Sequence, residues 1–550
     1  MEKLINLFKR RDMVGNLGAI DYLIKREISK SNLSLVGDSV GSGAINFNHK
    51  KKPKVSVIMT AFNSSGTISK SIDSVISQSL SDIELIVVDD FSSDNTVEIV
   101  NSYAARDSRV TCLRLYENRG TYWAKNLGIL HSKGEVIALH DSDDISEKDR
   151  LSLQYDLLIN SNLNFCYTNW IRVDKEGSPV LNRGLRERLG YPTLAFKKEI
   201  LDDFGFFDTT RIAADDEFHS RIKMRYGAKS FIHLNKVCYV APLAENSLTG
   251  KNPVHMDLKN IADPLSFLSD DRKIYVERYK RWHENSGNLA KLSFPARFRE
   301  FPISGGMRSS LINQGDLIIG SIATYPPRKN TFEKVVKQII DQVDILRVHL
   351  NGYEDVPDYL NSPKIIVTQS KKYGDLRDNG KFLFAENLPS CFHITFDDDL
   401  NYPKYYVSYL VAKCMQYGCR AIVGLHGTLI NKSFARYHDK KSRSTKTYRL
   451  AVESDFLVNI LGTGTTCYHS NTIKFGLDNI GNTGMVDLWF ARYAKQKSIP
   501  MICISRGEGW LSDLNNVEGM SLYNEYLNSD DKQTQLVFEA NLNSPPIGFN

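Results

Sequence analysis

Three carboxylate runs stand out in the sequence: Asp141-Ser142-Asp143-Asp144, Asp215-Asp216-Glu217 and Asp397-Asp398-Asp399. Acidic side chains crowded on one turn repel one another unless a cation neutralises them. Oxygen ligands suit magnesium or manganese, which bind one or two carboxylates and complete their shell with phosphate oxygens and water. A divalent cofactor (Mn2+ or Mg2+) is therefore expected on the Asp141–Asp144 turn, and again on Asp397 and Asp399. The competing account is a helix start, since aspartate favours the positive end of a helix. It applies to Asp141–Asp144, where Ile145 onward reads as helical, and to Asp215-Asp216-Glu217. It applies as well to Asp487 in Gly484-Met485-Val486-Asp487.

These residues need elements to position them. VSVIMTAFN (55–63) is a buried-strand run, followed by a helical segment from Ile68 to Ile76. IELIVVDD (83–90) is the next strand, with a helix opening near Asp94. Val110–Tyr116 and Glu135–Leu139 are further strands, and Thr121–His131 is a helix between them. Short strands alternating with helices imply an α/β fold with a mostly parallel, Rossmann-like sheet. Ligands of such sheets bind beyond the carboxyl ends of the strands. That rule singles out Asn63, Asp89, Asp90 and Asp141 to Asp144. A second series follows at 316–325, 345–350, 364–369, 393–396 and 420–424, with Asp397-Asp398-Asp399 after HITF.

The expected organisation is an N-terminal amphipathic and linker segment (1–50), a first domain (51–261), a helical connector (262–315) and a second domain (316–550). Within the first of these, Leu4, Ile5 and Phe8 precede Lys9-Arg10-Arg11, and Leu17, Ile20, Ile24 and Ile28 recur at helical spacing. That helix either packs on the body or lies on an anionic membrane face. With 550 residues the chain is too long for one core. A net charge of +6 over that length tolerates anionic small molecules but is no nucleic-acid signature, so no nucleic-acid partner is expected. Eight cysteines stand singly, with no C-x-x-C pair, which speaks against a zinc knuckle. No apolar run approaches a membrane span and no secretion signal is visible. The expected location is the cytoplasm, either free or peripheral at the inner face of the membrane, with a capsule-export complex as a candidate partner.

Ala61-Phe62-Asn63, Asp89-Asp90-x-Ser-x-Asp94, Asn118-Arg119-Gly120, Asp141-x-Asp143 and Asp215-Asp216-Glu217 together resemble the family-2 glycosyltransferases, over about 54–250. The resemblance implies a GT-A-type fold, with Asp89 or Asp90 at the uridine and Asn63, Asn118 and Gly120 lining the nucleotide sugar. It also implies the metal–diphosphate on Asp141 and Asp143, and Asp216 as general base, with Asp215 its alternative. Phe62 stands where Tyr is common, and Asp-Asp-Glu where Glu-Asp is usual.

A longer series is similar to the bacterial heparosan synthases: GTYWAKNLGILHSKGEVIALHDSDD, ADDEFHSRI, RDNGKF, FDDDLNYP, GLHG, NILGTGT, TGMVDLWF and CISRGEGWL. By that resemblance the first half transfers glucuronic acid with inversion. The second half is then similar to family-45 N-acetylglucosaminyltransferases and transfers N-acetylglucosamine with retention. UDP-glucuronic acid, UDP-N-acetylglucosamine and a growing polysaccharide acceptor are the implied partners. In the second half, Arg377, Asp378, Asn379 and Lys381 are candidates for diphosphate and uridine contact, although an exposed helix start suits that stretch equally. His426 in a Gly-flanked turn is a further nucleotide-sugar candidate, and Asp487 a catalytic one. Rival functions are a polymerase or transferase of other sugars for capsule or lipopolysaccharide, and a carbohydrate-binding scaffold with one inactive half.

Overall fold

The computed structural model describes residues 52–174, 176–180, 186–227, 231–242, 269–287, 290–296, 299–304, 307, 316–481, 485–514 and 530–549. They fall into two compact units, one within Phe47–Ile312 and one within Asn313–Asn550. The amphipathic segment expected over 1–50 lies outside the described residues. Among the described residues no helix is long and apolar enough to cross a membrane.

The first unit opens with β1 (Val55–Ala61), α1 (Ile68–Ile76), β2 (Ile83–Asp89), α2 (Thr96–Ala104), β3 (Val110–Arg114), α3 (Thr121–His131) and β4 (Val136–Asp141). Next come β5 (Ile145–Ser146), α4 (Arg150–Ile159), β6 (Phe165–Val173), β7 (Pro179–Val180) and β8 (Glu187–Leu189). The unit ends with β9 (Ala195–Lys197), α5 (Ala214–Tyr226), β10 (Phe231–Pro242) and α6 (Asp270–Ser286). Its sheet runs β3-β2-β1-β4-β9-β6-β10-β5, with β7 and β8 paired to β6. The first four strands are parallel, β9 is antiparallel to both neighbours, β10 is parallel to β6, and β5 is antiparallel to β10.

The central strand β1 buries every residue but Thr60, as a strand covered on both faces must. Helix α3 is buried nearly all round, and Gly128 lets it approach the sheet, since a Cβ there would stand 2.6 Å from Ile58 Cγ2. The chain order reverses between β1 and β4, where Thr60 lies opposite Asp141, so a crevice opens at their carboxyl ends.

One expectation is corrected. Ile145 does not begin a helix: Ile145–Ser146 pairs with Tyr239–Val240, and the helix starts at Arg150. A long-range strand partner overrides the local pattern. Helix α6, from the 262–315 stretch, forms a separate apolar cluster within the first unit. Its Tyr275, Val276 and Tyr279 pack with Ala213, Phe301, Ile303 and Met307.

The second unit contains β11 (Leu317–Thr324), α7 (Lys329–Ile339), β12 (Ile345–Leu350), β13 (Ile365–Gln369), β14 (Cys391–Phe396), β15 (Leu400–Asn401) and α8 (Tyr406–Gln416). It continues with β16 (Ile422–Gly424), β17 (Gly427–Ile430), β18 (Arg443–Lys446), β19 (Phe456–Leu457), β20 (Ile460–Leu461) and β21 (Thr466–His469). It closes with α9 (Val486–Gln496), β22 (Met501–Cys503), β23 (Ser512–Asp513) and α10 (Asp531–Glu539). The main sheet runs β13-β12-β11-β14-β21-β16-β22-β19, beside the small sheets β15-β23 and β18-β17-β20.

Place by place, the two main sheets have the same strand directions. β21 is antiparallel between β14 and β16, β22 is parallel to β16, and β19 is antiparallel to β22. The chain reaches the last place differently: β5 follows β4 at once, whereas β19 comes after β16. Each unit is thus an α/β fold of the same plan, with a crevice at the ends of equivalent strands.

Candidate active sites

In the first unit, Asp89 ends β2 fully buried, and its Oδ2 accepts from the Ser92 amide at 3.0 Å. Its Oδ1 is buried without a partner, and burial raises the carboxyl above its ordinary range. Asp90 is committed differently. Its two oxygens accept from the Arg119 and Gly120 amides at 2.7 and 2.8 Å, and Asn118 Nδ2 donates to its carbonyl at 3.1 Å. Burial pushes the Asp90 carboxyl up to about 6. Gly120, at φ 90°, supplies the backbone bend that aims those amides. Asn63, at φ 49°, stitches the loops after β1 and β2, accepting from the Ser93 amide at 2.9 Å and donating its own to Ser92 Oγ at 2.9 Å. Of the pair expected at the uridine, only Asp89 keeps an unsatisfied carboxylate oxygen.

The turn after β4 gathers Asp141, Asp143 and Asp144. The Asp141 carboxylate accepts from Lys125 Nζ at 3.1 Å, and its amide donates to the Tyr239 hydroxyl at 3.0 Å. Asp143 is raised by burial and then by the charge of Asp141; buried Asp144 is raised by burial and then by both neighbours. That mutual repulsion is what a divalent cation relieves. Among the described residues no group of three or more His, Cys, Asp or Glu forms a metal cage. Two carboxylates still fit magnesium or manganese, which take their other oxygens from phosphate and water.

One face of α3 carries this turn to the second acidic run. Tyr122 and Lys125, three apart on the helix, reach Asp215 and Asp141: the Tyr122 hydroxyl donates to Asp215 Oδ1 at 2.8 Å. Asp215, Asp216 and Glu217 do occupy the first turn of α5, as the helix-start account requires, but none of them caps it. Asp215 turns inward, its carboxyl raised by burial and then by Asp216. Asp216 turns outward to Arg272, 2.5 Å from its Oδ2.

The second unit repeats the arrangement. After β14, Asp397 pairs with Lys381 and donates its amide to the Tyr402 hydroxyl at 2.8 Å. Arg328 holds Asp398 at 2.9 Å and Asp399 at 2.5 Å. Burial pushes Asp398 up to about 6, while burial and then the Asp397 charge raise Asp399. The stretch 377–382 is a 3-10 turn with Asn379 to Phe382 buried, which excludes an exposed helix start.

Asp378 and Asn379 each hold a buried oxygen without a partner, and burial pushes the Asp378 carboxyl up to about 6. Lys381, Asp397 and Asp487 all act on Asp378 electrostatically, so this turn and the acidic turn converge. The backbone of Arg377 is held on both sides: its carbonyl accepts from Asn351 Nδ2 at 3.0 Å, and its amide donates to Asn351 Oδ1 and Asp375 Oδ1, each at 3.1 Å. Asp487 stands in the first turn of α9 but binds elsewhere, accepting from the Thr463 amide at 2.8 Å and hydroxyl at 2.6 Å. Burial lowers His426, against the nearby charges of Asp487 and Asp397.

Lys125, Tyr122, Arg272 and Arg328 were not among the expected site residues. A signal existed for one: a lysine in the mostly apolar WAKNLGIL run has to find a buried anion.

The model of "Glycosyl transferase family 2" matches residues 56–215. An uncharacterized glycosyltransferase of Haemophilus influenzae is 32% identical over 142 residues, 26% of this chain and 57% of that protein. UDP-Glc:alpha-D-GlcNAc-diphosphoundecaprenol beta-1,3-glucosyltransferase WfgD of Escherichia coli is 39% identical, over 21% of this chain and 45% of its own length. Chondroitin synthase of Pasteurella multocida is 29% identical, over 36% of this chain and 22% of its own. The chain thus spans about half the length, or less, of these curated relatives. The solved Staphylococcus aureus TarS 1-349 with UDP-GlcNAc aligns at 25% identity and a TM-score of 0.31, covering 35% of this chain and 60% of that one. The residues similar to that family, 56–215, carry β1 to the first turn of α5.

Proposed function

We propose that the chain is a bifunctional glycosyltransferase that builds a heparosan-type polysaccharide, alternating glucuronic acid and N-acetylglucosamine from UDP donors. One observation carries the two-site reading. In both units an acidic turn follows the equivalent strand, and a lysine sixteen residues earlier pairs with its first aspartate. In both, a carboxylate stands in the first turn of the helix before β10 or β22. The similarity to Pasteurella multocida chondroitin synthase and hyaluronan synthase supports a polysaccharide product.

In the first unit Asp141 and Asp143 would hold the metal, and Asp89 would meet the uridine. A bound magnesium or manganese would neutralise charge developing on the departing diphosphate. Asp216 would take the proton from the acceptor hydroxyl, at the opposite end of the Tyr122–Lys125 face from the diphosphate. In the second unit Asp397 and Asp399 would hold the metal, with Lys381, Asp378, Asn379, Arg377 and His426 around the nucleotide sugar and Asp487 facing the reacting sugar. Placing both sites in one chain keeps each product at high local concentration for the next transfer.

The test supplies both UDP-sugars with manganese and a short acceptor, then analyses the product's disaccharides. Either donor alone should add a single sugar. Both together should give long chains of equal composition, cut by a heparin lyase specific for the unsulfated repeat and resistant to hyaluronidase. A lyase-resistant polymer, or incorporation of another sugar, would sink the heparosan assignment.

A further inference from the structure

We propose that Arg272 on α6 is a positioning residue for Asp216, so that the first site extends beyond residues 56–215 to include α6. The inference rests on the reading of Asp216 as the base.

Three observations lead there. First, α6 docks on the segment that launches α5: Tyr275, Val276 and Tyr279 pack with Ala213, which precedes α5 at φ 67°. A non-glycine residue in that region is strained unless its surroundings hold it. Second, α6 grips the first turn of α5 through two adjacent acids. Arg272 reaches Asp216, and His283 Nε2 lies 2.9 Å from Glu217 Oε1. Glu217 is itself locked in a fully buried pair with Arg221 at 2.8 Å. The helix therefore has a rigid anchor at Glu217 and a lighter, partly exposed hold on Asp216.

Third, Asp215 and Asp216 are engaged from opposite sides, by Tyr122 and by Arg272. Arg272 takes Oδ2 of Asp216, and among the described residues nothing engages Oδ1. A proton acceptor must sit within hydrogen-bond reach of the hydroxyl it serves. Clamping one oxygen of a carboxylate fixes where the other points, and a guanidinium does this better than an ammonium.

The experiment uses the full chain and follows single-sugar transfer from each donor separately. In Arg272→Gln, kcat for glucuronic acid transfer should fall about tenfold or more while the donor KM stays within about twofold, the pattern of an interaction used in the transition state. Arg272→Lys should recover part of that loss, and added guanidinium should partly rescue Arg272→Ala. N-acetylglucosamine transfer should be unchanged, and Lys273→Gln on the exposed face of α6 should leave both transfers intact. Unchanged glucuronic acid transfer in Arg272→Gln would overturn the proposal. So would a loss shared by Lys and Gln variants, unrescued by guanidinium, with a lowered melting point. Absence of transfer by the wild type would instead strike the two-site reading itself.

Discussion

Lys125 and Lys381 occupy equivalent places: each is buried, and each donates to the first carboxylate of the acidic turn sixteen residues later. In both units the amide of that same aspartate donates to a tyrosine hydroxyl, Tyr239 or Tyr402. Two bonds thus fix the first acidic residue before any ligand arrives. Replacing Lys125 by Met leaves Asp141 without its cation, at a cost of about 1–3 kcal/mol for an unmatched, partly buried partner. Glucuronic acid transfer should fall at least tenfold, in the sense of about 1.4 kcal/mol per decade, with N-acetylglucosamine transfer intact. Lys381→Met should do the reverse. Equal loss of both transfers in either variant would contradict independent sites.

Chelation should stop both transfers, and manganese or magnesium should restore them. Asp143→Asn should silence the first transfer and Asp399→Asn the second, because each removes one of the two carboxylates proposed to hold the metal. Asp216→Asn should cut glucuronic acid transfer by about the 100-fold typical of a lost general base, leaving the other transfer in place. Full activity in excess chelator would remove the metal from both sites.

Much of this was legible in the sequence because the signals were local. The buried run Val55–Ala61 and the helix Thr121–His131 follow from hydrophobic periodicity, and the acidic turns follow from strand ends. What failed depended on distant partners. Ile145 reads as helical until Val240 pairs with it, and the charged run from Asp270 hides an apolar face that only Ala213 and Phe301 reveal. Arg328 and Arg272 are ordinary surface residues by pattern; each becomes part of a site through an aspartate about 56 to 71 positions away. The commitment of Asp90 to backbone amides, leaving Asp89 open, is likewise a matter of geometry that two adjacent aspartates cannot announce.

Asp90 makes a pH-dependent prediction. Burial raises its carboxyl from 3.8 to about 6 in the folded unit. A raised acid stabilises the fold fully below its unfolded value, and that contribution is lost as pH rises through the folded one. Stability of the first unit should therefore decline between about pH 4 and 6, by no more than about 3 kcal/mol for a two-unit shift. In Asp90→Asn that component of the slope should vanish, although the lost amide contacts lower stability throughout. Unfolding of both proteins followed across this range checks it; parallel curves would refute the assignment.

The last prediction concerns Gly464, in the turn between β20 and β21. A Cβ placed there would stand 1.7 Å from Asp397 Oδ2 and 2.1 Å from its Cγ, far inside contact distance. The neighbouring Thr463 meanwhile holds Asp487 through both amide and hydroxyl. The turn therefore lies between Asp397 of the acidic turn and the carboxylate of α9. Gly464 is not among the glycines at positive φ, so alanine adds a clash and little backbone strain. In Gly464→Ala, Asp397 has to leave its bond with Lys381 or the turn has to release Asp487. Either way N-acetylglucosamine transfer should fall by about two orders of magnitude or more, since small displacements of positioned groups are costly. Glucuronic acid transfer should continue, which separates a local defect from unfolding. Gly507→Ala is the control: nothing lies within 4 Å of an added Cβ there, and both transfers should survive. Normal N-acetylglucosamine transfer in Gly464→Ala would mean that the position of Asp397 is not what the second reaction depends on.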